Sequence, residues 1–211
     1  MAGTVLAIEA TDQAAFATAW PFRNAVNATL IDNGFTPIVK SGPNACQGAV
    51  QQVAADPNSN IALIVGVGHG TFNSFLGFDR QPVFQTKIYD PMEVENKIVH
   101  LTACDTGDQL GPDFVTNGCI AFIGYNTLVS WNDDTTAASW FECDAAIDTA
   151  LANGATVAEA YAAGMQKFCD MIDQLRNSNN GVGADFLQNI SKCLCSPVTD
   201  RKYGDGSAKL R

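Results

Sequence analysis

The sequence predicts an α/β fold in three layers, with a mainly parallel central sheet between helices. Three observations predict it. Short apolar runs alternate with longer helical patterns, the runs are apolar throughout instead of every second residue, and glycine or proline closes most helical stretches. A chain of 211 residues with 46% hydrophobic content buries one core without metal or disulfide staples.

"GTVLAIEA" reads as the first strand, and "FRNAVNATLIDNG" as a helix entered after Pro21 and stopped at Gly34. "FTPIVK" is the second strand, "NACQGAVQQVAAD" the second helix, broken at Pro57, and "NIALIVGV" the third strand. Residues 71–90 lose helical spacing, which predicts a hairpin or a pair of short strands inserted there. "KIVHLTA" and "CIAFIGY" are the fourth and fifth strands, joined by a short helix in "DQLGPDFVTNG". The loop "NTLVSWNDDTT" leads into two helices, about Ala137 to Ala152 and Val157 to Leu175. A main domain is expected over 1–176, and a C-terminal extension over 177–211, packed on it or trailing from it. In that extension "NSNNGVG" reads as an exposed linker and "DRKYGDGSAKLR" as mobile or weakly docked.

The formal net charge of −10 argues against nucleic acid and anionic membrane surfaces as partners, because both need Lys/Arg patches. No run reaches the ~18 apolar residues of a membrane span, and "MAGTVLAIEA" lacks the basic flank of a signal peptide. The seven cysteines are odd in number and scattered. That pattern suits free thiols in a cytoplasm, or a secreted chain only if a leader has been removed.

Chemistry concentrates at two strand ends. "IALIVGVGHG" ends on His69, one of two histidines, and "KIVHLTACDTG" ends on Cys104. Carboxyl ends of parallel strands are where catalytic groups gather, so neighbouring strands bring this imidazole and thiol into one cleft. A thiolate nucleophile needs a base beside it, and histidine takes and returns that proton. Backbone N–H groups at Gly70 and Cys104 are placed to receive the oxyanion of a tetrahedral intermediate.

Strand-His-Gly followed by strand-Ala-Cys resembles the caspase-like (clan CD) cysteine peptidases, a group that includes caspases, legumains, clostripains, gingipains, separases and CHAT domains. "HLTACDTGDQLGPDFVTNGCIAFIGYN" is similar to the gingipain and CHAT pattern. The resemblance runs from about residue 3 to residue 165, although its specific motif is the two short stretches. It implies a caspase-like three-layer α/β/α sandwich with sheet order 2-1-3-4-5, a Cys104–His69 dyad, no cofactor and no metal, and a protein or peptide as substrate. Thr102-Ala103-Cys104-Asp105-Thr106-Gly107 departs from the Gln-Ala-Cys-x-Gly of caspases proper, which favours the bacterial relatives over aspartate specificity. Ser130 and Trp131 resemble the segment that walls the pocket for the residue before the cut. Asp133, Asp134 and Asp79 are the candidate carboxylates there for selecting Arg or Lys.

Two other classes stay open: a catalytically silent module of the same fold acting as a scaffold, and a flavodoxin-like ligand-binding domain. The sequence is silent on oligomeric state. His100, in register with Ile98 and Thr102, reads as a hydrogen-bonded core histidine. Cys46, Cys119, Cys143 and Cys169 read as core, the Cys193-x-Cys195 pair as packed thiols without metal, and Asp105 and Asp108 as caps of the next helix.

Overall fold

The computed structural model describes residues 3–11, 14–131 and 133–210. The strands and helices in chain order are β1 (Thr4–Glu9), α1 (Trp20–Asp32), β2 (Thr36–Ser41), α2 (Gln47–Ala54), β3 (Ile61–Val67), β4 (His69–Thr71), β5 (Ser74–Leu76), β6 (Pro82–Gln85), β7 (Ile98–Thr102), α3 (Leu110–Thr116), β8 (Ala121–Tyr125), α4 (Asp134–Ala152), α5 (Val157–Asn177), α6 (Gly181–Ser191) and β9 (Leu194–Cys195). A six-stranded sheet runs β2-β1-β3-β7-β8-β9. Its first five strands pair in parallel, in the expected order, and β9 adds an antiparallel edge.

Both faces of β1, β3, β7 and β8 are buried, which is why these runs are apolar at most positions, with His100 and Thr102 of β7 the buried polar exceptions. Val5, Ala7, Leu63, Val65 and Ile123 face a core shared with α1, α4, α5 and α6. Leu6, Ile8, Ile64, Val99 and Leu101 face the opposite core, shared with α2, α3 and the β4-β5-β6 layer. The inserted 71–90 segment is therefore a small antiparallel sheet that begins at His69 and covers the second face.

The C-terminal segment packs on the domain, and only the linker expected in "NSNNGVG" departs from expectation. Asn180 caps α6 by accepting from Gly183 N at 2.9 Å, so the glycines of "NSNNGVG" open a helix instead of forming a linker. Leu187, Ile190 and Leu194 join the first core. The last residues are docked: Tyr203 is buried and donates to Gly107 O at 2.9 Å, Asp205 N to Ile120 O at 2.8 Å, and Val157 N to Ala208 O at 2.9 Å. Backbone hydrogen bonds hold this polar tail, so its composition hides its attachment. Cys119 and Cys143 are core as expected, whereas Cys46 is half-buried beside α2 and Cys169 is exposed on α5. No helix among the described residues is long and apolar enough to cross a membrane.

Helix α4 is fixed to the sheet by buried charge. His100 places Nδ1 2.8 Å from Asp148 Oδ1 and Nε2 3.3 Å from Asp144 Oδ1. Arg23 of α1 donates to Asp148, and Thr102 to Asp144. Tyr125 donates to Asp144 at 2.7 Å and receives Trp140 Nε1 at 3.0 Å. Burial alone would lower the His100 pKa, but the two carboxylates outweigh it and push the value up to about 10. The pairs of His100 and Arg23 with Asp144 and Asp148 balance in charge.

Removing one partner strands the others, so Asp148→Ala is expected to cost ~3–5 kcal/mol in urea unfolding; a loss under ~1 kcal/mol would contradict the assignment. The pH dependence has a definite sign. The folded His100 pKa is raised, so its stabilisation is complete below the unfolded value near 6.5 and is lost as pH rises from there to about 10. His100→Gln should flatten that alkaline decline in a series of unfolding curves.

Candidate functional site

Cys104 stands two residues past β7, and His69 two residues past β3, at the carboxyl edges of paired strands. The two line one cavity of about 50 Å³ with Phe16, Gly68, Ala103, Val129, Trp131 and Trp140. His69 and Cys104 thus border the same cavity at the carboxyl ends of β3 and β7. A cavity of about 640 Å³ lies at the opposite end of the strands, against Ile98, Ile120 and the docked tail. It holds no cysteine or histidine, so chemistry and not volume picks out the smaller one.

The turn carrying Cys104 is held by backbone bonds to the end of β8. Asp105 adopts φ 53, a conformation that only a few non-glycine residues tolerate, aspartate among them. Its N–H donates to Thr127 O at 3.1 Å, and Gly107 N donates to Tyr125 O at 2.8 Å. Neither Asp105 nor Asp108 caps α3, whose N-cap Gln109 makes no side-chain cap bond. Gly70 lies against this turn so closely that a Cβ there would sit 2.0 Å from Cys104 O, so only glycine fits. The Thr71–Ser74 pair closes a two-residue turn and exchanges its backbone bonds, which leaves Gly70, opposite Phe75, at a position not bonded to β5. The Gly70 N–H accordingly points away from β5.

His69 packs edge-on against Phe16, with ring centroids 5.0 Å apart. Around the sulfur, Val129 N donates to Cys104 Sγ at 3.2 Å, and Val129 O lies 3.7 Å from it. Burial pushes the thiol pKa above its ordinary value; the hydrogen bond with Val129 opposes this, and the Asp105 carboxylate adds to it.

The other expected residues separate. Trp131 walls the cavity, tilted against Trp140 and edge-on to Phe141 at centroid distances of 5.5 and 5.7 Å. Ser130 is exposed on the same loop. Asp133, Asp134 and Asp79 are not among the lining residues. Asp133 is the N-cap of α4, accepting from Thr136 N at 2.8 Å and Thr136 Oγ1 at 2.9 Å, which holds its carboxyl below the usual range. Asp134 is exposed in the first turn of that helix. Asp79 sits in the 78–80 turn, which is tied through Phe78 N to Ala45 O ahead of α2, in the layer on the other face.

Sequence reasoning passed over two wall residues, Val129 and Trp140, and one carboxylate, while Phe16, also in the wall, is a buried packing residue. Glu9 ends β1 in register with Val67, two residues before His69, and is half-buried. Burial raises its pKa, and the Arg23 charge partly offsets the rise. An acid closing an otherwise apolar strand was the available signal. Among the described residues no cluster of His, Cys, Asp or Glu could hold a metal ion. Searches against family models and curated proteins return no match to the chain.

If Asp133 is a cap and not a pocket carboxylate, Asp133→Ala should lower stability by ~1 kcal/mol in thermal melts and Asp133→Ser should restore most of it. Unchanged stability with an altered Arg/Lys preference would return it to the pocket.

Proposed function

We propose that this chain is a cysteine endopeptidase of the caspase-like type, acting through Cys104 and His69. The observation that carries the reading is their common cavity at the carboxyl edge of adjacent parallel strands. Strand order and the three layers agree with such a sandwich. His69 takes the thiol proton as sulfur attacks the substrate carbonyl carbon. The oxyanion is received by the N–H groups of Gly70 and Cys104. The C–N bond breaks, the amine leaves with the proton from His69, and water then releases the acyl group from the thioester. A preference for Arg or Lys before the cut is supported by the net charge of −10 and by the Asp105 carboxylate next to the thiol.

A second reading, a silent module with the same residues, is favoured by one observation. The cavity is about 50 Å³, the space of one or two waters at ~30 Å³ each. Fluorogenic peptides differing at the residue before the cut, assayed with reductant, separate the two. Cys104→Ala and His69→Ala should each lower turnover by at least ~10³-fold, because nucleophile and base act as a unit, and zinc chelators should change nothing. Activity surviving in Cys104→Ala ends the peptidase reading; thiol-independent silence across all peptides supports the scaffold.

A further inference from the structure

The segment from Asn126 to Trp131 crosses the thiol in a way that a resting connection would not need to. It leaves β8 with Asn126 N bonded to Cys193 O at 3.1 Å, and Thr127 O receives Asp105 N at 3.1 Å. At Val129 the backbone meets the sulfur with both polar groups, N at 3.2 Å and O at 3.7 Å. Between these anchors Leu128 is 74% exposed, so the crest of the loop turns an apolar side chain to solvent and contributes nothing to either core. At the far end Trp131 packs against the Trp140 and Phe141 rings. Offset and edge-on aromatic contacts of this kind contribute ~0.5–1.5 kcal/mol each, enough to hold a loop closed and weak enough to release.

We infer that residues 126–131 form a lid over Cys104, latched by Trp131 on the α4 aromatic shelf, and that a peptide reaches the sulfur only when the latch opens. The regulatory meaning of the lid rests on the peptidase reading; its existence does not. The shelf belongs to a rigid element, since Trp140 is tied through Tyr125 to Asp144. The moving part is therefore the loop. Covering the sulfur also adds to its desolvation, the effect that outweighs the Val129 hydrogen bond in raising its pKa.

The test is alkylation of the whole protein by iodoacetamide and by a bulkier N-alkylmaleimide, read at Cys104 by peptide mass spectrometry. The exposed Cys169 serves as the reference and the buried Cys143 as a folding control within the same molecules. In wild type, Cys104 should react at least ~10-fold more slowly than Cys169, with the larger deficit for the maleimide. Trp131→Ala should raise the Cys104 rate ~10-fold or more, including on the high-pH plateau where titration no longer limits it, while Trp131→Phe stays near wild type. Cys104 reacting as fast as Cys169 in wild type, or unmoved by Trp131→Ala, overturns the lid. Should Trp131→Ala expose Cys143, Val129→Pro replaces it, because it removes the N–H that meets the sulfur and leaves the latch in place; a Cys104 rate unmoved there overturns the lid equally. Peptide turnover measured on the same samples separates the two claims. Faster alkylation without turnover keeps the lid and removes the peptidase, whereas wild-type turnover with unmoved alkylation does the reverse.

Discussion

Two carboxylates one helical turn apart on α4, Asp144 and Asp148, decide how the largest helical layer meets the sheet. Each faces a buried donor set, Thr102 and Tyr125 for the first, Arg23 for the second, with His100 between them. Desolvated charges of this kind add little net stability compared with a well-packed apolar core, but a misplaced α4 would leave them unpaired. The network therefore acts on register: α4 can neither slide a turn nor rotate without stranding charge.

That constraint reaches the candidate site through Trp140. The residue lies one turn before Asp144 on the same face of the helix, bonds to Tyr125 and walls the cavity containing Cys104. Asp133 starts the helix by its cap, which also fixes where the loop after β8 must end. The position of the aromatic shelf under Trp131 thus follows from charge pairing about a turn further along the helix. Loop, shelf and thiol form one unit with a rigid side and a movable side.

Strand order and the placing of His69 and Cys104 at adjacent strand ends were legible because runs such as "IALIVGV" are apolar on both faces and end in glycine or a chemically active side chain. His100 was legible as a core residue, yet its partners were not. "FECDAAIDTA" places acids where a helix surface ordinarily carries them, and nothing local says that this face is inside. How firmly the tail docks is hidden for the reverse reason: its attachment runs through backbone groups and Tyr203, which polar composition conceals. Asp133 is a candidate pocket carboxylate by its place in the loop, yet its spacing to Thr136 already fits a cap. The contact of Val129 with the sulfur has no sequence signature, since any residue but proline supplies that N–H.

The central claim is that Cys104 forms an acyl bond with substrate. It is tested most directly by mixing the protein with a peptide ester bearing Arg before the ester, quenching in acid within the first turnovers and weighing the intact chain. The account predicts a mass increase equal to the acyl group, mapped to the Cys104 peptide and absent from Cys104→Ala. Ester hydrolysis without that adduct, or with an adduct at another residue, would contradict it.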